Sequence, residues 1–115
     1  MKKVLFTCIV FLGLGLTTSL SQTDKMKEKA TAMVEQLNND IIAGNEHLAL
    51  KEEQKARIYN LHLERLKELR KANKAGVDKA GKKTINKKYY KEIYSQILTK
   101  HQKNARKIGK SRQQN

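Results

Sequence analysis

Between Asp24 and Ala43 apolar residues return at three- and four-residue steps, at Met26, Ala30, Met33, Val34, Leu37 and Ile41, with charged and amide side chains between them. That period draws one stripe on a helix, so the pattern predicts an amphipathic helix over 24–43 whose methionines read as ordinary core packing, with a pliable surface for varied partners as the other reading. Gly44-Asn45 then reads as a left-handed stop. A second helix is predicted from Glu52 to Lys74, where Ile58, Tyr59, Leu61, Leu63, Leu66, Leu69 and Ala72 fill an arc broader than one neighbouring helix needs. At 1.5 Å per residue it is roughly 35 Å long, the spine of the molecule. Residues 74–83 carry two glycines and little to bury, which reads as a loop, with Thr84 as N-cap of a third helix through Ile85, Tyr89, Ile93 and Ile97. The pattern fits either one helix from Ile85 to Ile108 or two that part at Thr99. Beyond Leu98 only Ala105 and Ile108 are apolar, and the basic tail 109–115 is expected to fray.

The absence of proline and the small share of glycine and aromatic residues agree with this reading. The expected fold class is all-α, three to four amphipathic helices in one domain spanning 22–108. The segment 1–21 is organised differently. Lys2 and Lys3 precede an apolar run from Val4 to Leu16, and Ser19-Leu20-Ser21 supplies a small-residue exit. This is the layout of a cleavable secretory signal peptide, too short in its apolar part to span a bilayer comfortably, and the mature chain is expected to begin near Gln22. Cys8, the only cysteine, falls inside the discarded run, so disulfides cannot hold the mature protein together.

Charge narrows the choice of partner. The whole chain carries a formal +14, and the excess is lopsided: residues 22–68 hold 8 basic against 9 acidic groups, whereas residues 69–115 hold 15 basic groups against only Asp78 and Glu92. Such a half would favour nucleic acid in the cytoplasm, but export removes that partner. Anionic membrane or cell-envelope surfaces and acidic stretches of other proteins remain, beside the plainer reading of a solubilising face.

Two short stretches share a pattern, Leu98-Thr99-Lys100-His101-Gln102 and Leu50-Lys51-Glu52-Glu53-Gln54. Thr-x-x-Gln is a capping box: the threonine accepts from the backbone N–H three residues on, while the glutamine reaches back to the N–H of the cap. In the first copy Lys51 stands where the threonine would be, so only the glutamine half survives, with Glu52 and Glu53 suiting the positive end of the helix dipole. The export signal, the size, the helical pattern and this Leu-Thr-x-x-Gln repeat resemble the Spy/CpxP family of periplasmic proteins, over most of residues 26–108. The resemblance implies a bent, elongated, hairpin-like helical fold that pairs as an antiparallel, cradle-shaped homodimer. It implies ATP-independent holding of unfolded or partly folded proteins on a basic, partly apolar concave side; other members restrain an envelope-stress sensor kinase or sense metals. Only Leu50, Gln54, Leu98, Thr99 and Gln102 match the motif, and they are expected to be structural caps.

A binder of many unfolded clients needs long-range charge for capture and exposed apolar area for weak holding. Tyr59, Leu63 and Leu66 with Arg65 and Arg70 are the expected client surface. No catalytic, cofactor or metal constellation stands out: His47, His62 and His101 are scattered, and no Gly-rich phosphate loop is present. The readings to separate are therefore a chaperone-like binder, a modulator of one envelope sensor protein, and a binder of anionic membrane or envelope surfaces.

Overall fold

The computed structural model describes residues 17–114, with side chains from Thr23 onward. The described part is all-α. It comprises α1 (Thr17–Gly44), a 3-10 turn (Glu46–Leu48), α2 (Glu52–Lys74), α3 (Lys79–Glu92) continued by a π turn (Ile93–Ile97), and α4 (Lys100–Gln114). The predicted export signal lies largely outside these residues, and α1 runs through the expected cleavage boundary at 21–22. Among the described residues no helix is long and apolar enough to cross a membrane.

The apolar stripe of α1 is its inner face: Ala30, Val34, Leu37 and Ile41 are all buried. Val34, Leu37 and Ile41 join Leu50, Ile58, Ile93, Ile97, Leu98 and Ala105 from the other elements in one core cluster. Ile41, Ile58 and Ile93 are the largest side chains fully withdrawn from water, each worth about 1.5–3 kcal/mol of burial. α2 lies antiparallel to α1, since Asn38 Oδ1 accepts from the Leu50 N–H (2.7 Å) near one end and Arg65 reaches Met33 farther along. α3 folds back on α2, tied by Arg65 to Asn86 and by Glu68 to Lys88 and Tyr89.

Two boundaries differ from the sequence expectation and a third resolves an alternative that it leaves open, each for a local reason. The loop between α2 and α3 is only residues 75–78. Gly76, at φ 75, ends α2 in a Schellman arrangement in which the Val77 N–H donates to Ala72 O and the Gly76 N–H to Asn73 O. Asp78 then caps α3, its carboxylate accepting from the Gly81 N–H at 2.9 Å. Thr84 is thus inside α3, its hydroxyl donating to Ala80 O. Gly44 is not left-handed, for among the described residues positive φ occurs only at Gly76. α1 stops because Asn45 turns extended and its side chain accepts from the His47 N–H. Finally, the third helix does part at Thr99: the Leu98 N–H reaches back five residues to Ile93 O, and Leu98 itself is extended. The wider π turn leaves Ile93, Ile97 and Leu98 all buried.

α4 is a regular helix to Gln114, where fraying from Gly109 was expected. It returns antiparallel along α1 at unusually close range. A Cβ at Gly44 would lie 1.8 Å from Ala105 O, and one at Gly109 would lie 1.8 Å from Asp40 O. The glycines let the two backbones touch, and Arg112 closes the contact by donating to Ala43 O at the end of α1. The sign of a substitution here is diagnostic. On an exposed helix alanine outranks glycine by about 1 kcal/mol. Gly109→Ala should instead lower unfolding free energy in urea by about 1–3 kcal/mol, because backbone must move. Gly81→Ala, whose new Cβ meets chiefly the side-chain tip of Val77, should cost less.

Candidate functional site

The two motif copies, 48 residues apart at their glutamines, fold onto one another. At the start of α4 the capping box is complete: the Thr99 N–H donates to Gln102 Oε1 (3.0 Å), and the Gln102 N–H donates to Thr99 Oγ1 (3.1 Å). At the start of α2 the Lys51 N–H donates to Gln54 Oε1 (2.9 Å). A lysine side chain has no acceptor to return, so this box is half-formed. The two amides then pair reciprocally, Gln54 Nε2 to Gln102 Oε1 at 2.8 Å and Gln102 Nε2 to Gln54 Oε1 at 3.0 Å. Their remaining N–H groups go to main-chain carbonyls, Gln54 to Ile97 O (3.0 Å) and Gln102 to Leu48 O (3.2 Å).

Each amide therefore uses both lone pairs and both N–H groups. The cap N–H groups demand oxygen on one side and the carbonyls demand nitrogen on the other, which fixes the orientation of both side chains. Gln102 is 5% exposed, and Leu50 and Leu98, the residue before each cap, lie in the core. All five motif residues thus form one joint where the starts of α2 and α4 meet. It holds structure and exposes little that a client could grip.

The expected client residues separate. Arg65 is 5% exposed, so it presents no charge to a partner. Its guanidinium donates to Asn86 Oδ1 (2.7 Å) and to Met33 Sδ (2.9 Å), and it lies 5.2 Å from the Tyr90 ring. Leu66 and Arg70 do share a groove, formed with Met26 and Leu69 between α1 and α2 and bordered by Lys25 and Lys29. A second depression on the far side of Arg70 adds Lys67, Lys71 and Lys74. Tyr59 lines a separate hollow with Val34, Asn38 and Lys55, and burial raises the pKa of its hydroxyl. Leu63 is half-buried and borders none of these.

Sequence reading missed a polar-aromatic cluster inside the bundle. His62, 3% exposed, accepts from Arg65 Nε at Nδ1 (3.4 Å) and stands edge-on to Tyr90, which stacks near Tyr94; Arg106 lies 5.1 Å from the Tyr94 ring. The i, i+4 spacing of Tyr90 and Tyr94 was the available signal. Burial, then the charge of Arg65, lowers the His62 pKa to about 4, so the ring is neutral with its proton on Nε2. Burial likewise raises the Tyr94 hydroxyl. At the rim, the hydrogen bond from Tyr89 to Glu68 (2.6 Å) lowers the carboxyl of Glu68 and raises Tyr89 to about 12.

Among the described residues no three His, Cys, Asp or Glu side chains are grouped as metal ligands. No protein-family model, curated protein or solved structure matches the chain significantly.

Buried neutral His62 makes a signed prediction. As pH falls below about 6.5 the unfolded chain binds a proton that the folded protein refuses until about 4, so stability declines across that window and levels off beneath it. Urea unfolding at pH 6.5 and 5.0 should differ by up to about 2 kcal/mol. His62→Asn, which keeps an acceptor for Arg65, should remove most of that difference.

Proposed function

We propose that the chain is an exported, ATP-independent, chaperone-like protein that holds unfolding proteins in the periplasm under envelope stress, working as a homodimer. The observation that carries this reading is the glutamine joint. The two Leu-Thr-x-x-Gln-like copies meet as one structural device, Gln54 pairing with Gln102, and this supports reading them as related halves of a repeated motif. A second support is the groove of Met26, Leu66 and Leu69 between α1 and α2, bordered by Lys25, Lys29 and Arg70. Apolar area of that kind holds a disordered segment weakly, and the surrounding cations draw it in over a distance set by ionic strength.

The client surface is accordingly redrawn. Leu66 and Arg70 stay in it, Met26 and Leu69 join it, and Arg65 leaves it for the interior. The basic residues of α3 and α4 supply the general field rather than the holding contacts.

The test is light scattering of a slowly unfolding protein with and without the exported chain, lacking ATP, at low and at physiological salt. The expected result is suppressed aggregation at near-stoichiometric amounts, weakened by salt and lost in Leu66→Asp. Aggregation unchanged at either salt, with salt-sensitive attachment to anionic vesicles instead, would replace this reading by that of a surface binder.

A further inference from the structure

A second site lies on the other side of α1, in an open cleft of about 180 Å³ that α1 and the end of α3 form with α4. Its polar lining is unusual in what it leaves unpaired. Asp40 is 5% exposed, yet its carboxylate accepts one hydrogen bond, from Gln36 Nε2 at 2.9 Å, and has no cation within ion-pair distance among the described residues. Buried carboxylates ordinarily fill their remaining lone pairs. Two cations line the same cleft from α4. Arg106 lies 5.1 Å from the Tyr94 ring, and neither it nor Lys110 makes a hydrogen bond or ion pair among the described residues. The third donor is His62. Its Nδ1 already accepts from Arg65, which leaves the Nε2–H without an acceptor among the described residues. Met33, Leu37 and Ile93 supply the apolar part of the wall.

We infer that this cleft binds a small aliphatic zwitterion, an α-amino acid. A plain anion would satisfy Arg106, Lys110 and His62 but would meet the charge of Asp40; a plain cation would satisfy Asp40 and meet two like charges. An ammonium and a carboxylate on one carbon answer both sets of groups, and a short apolar side chain fits Met33, Leu37 and Ile93. The small size of the cleft agrees with a ligand of few atoms. Asp40 is placed for this by its register on α1. It follows Leu37 by three residues and precedes Gly44 by four, on the face that α4 covers. The inference is independent of the client groove, which lies between α1 and α2.

Isothermal titration of the exported protein with L-leucine decides the matter. Two truncated probes accompany it, 4-methylpentanoate, which lacks the ammonium, and 3-methylbutylamine, which lacks the carboxylate. The expected result is saturable binding of one leucine per chain, with each truncated probe weaker by about tenfold or more. Arg106→Gln and Asp40→Asn should each weaken leucine by a similar factor. No saturable binding of leucine, or equal binding of 4-methylpentanoate, overturns the inference. If Asp40→Asn does not fold, Arg106→Gln decides alone, since its side chain is partly exposed, and unchanged leucine affinity in it is a negative result.

Discussion

The reciprocal amide pair of Gln54 and Gln102 is the constraint on which the other contacts depend. A helix start leaves N–H groups without partners, and here two starts are brought together at a partly buried contact. Two positive dipole ends would otherwise face each other there, with Lys100 adding to the charge on α4 and Glu52 and Glu53 opposing it on α2. Neutral amides resolve the conflict. Each accepts from its own cap N–H and donates to a carbonyl of the other segment, Gln54 to Ile97 O and Gln102 to Leu48 O. The joint thus fixes where α3 must end and where α4 must begin. The π turn at Ile93–Ile97 and the extended Leu98 are the backbone adjustments that deliver Thr99 to that point.

From the joint, the direction of α4 is set by glycine. Gly44 lies against Ala105 O and Gly109 against Asp40 O, so the backbones of α1 and α4 approach more closely than side chains would allow. Close approach on this side carries Asp40 into the interior and brings Arg106 and Lys110 over it. On the opposite side α1 meets α2 through larger residues, and a groove stays open at Met26, Leu66 and Leu69. One helix therefore borders two chemically different sites, an apolar groove ringed by cations and a small polar cleft.

Much of this was legible in the chain. The apolar stripe of α1, the extent of α2 and the capping logic of Thr99 and Gln102 follow from spacing alone, and their outcome agrees with it. What spacing does not carry is contact between distant segments. Gly44 looked like a helix stop because glycine commonly is one, but the reason for it stands on α4. Gly76 and Gly81 looked alike, yet one ends α2 at positive φ and the other is the third residue of α3. Arg65 looked like surface charge; its burial depends on Asn86, Met33 and Tyr90, none of which is its neighbour in sequence. Pairing of Gln54 with Gln102 is hidden for the same reason, although the capping role of each is legible in its own segment.

A double-mutant cycle in urea on Gln54→Leu and Gln102→Leu tests the joint most directly. Either single change strands the amide, the carbonyl and the cap N–H that it leaves behind, at a cost of about 1–3 kcal/mol. The double variant removes both amides together. The expected result is a double loss smaller than the sum of the single losses by about 1 kcal/mol or more, whereas additivity within about 0.5 kcal/mol would mean that the glutamines act as separate caps and that no joint organises the fold.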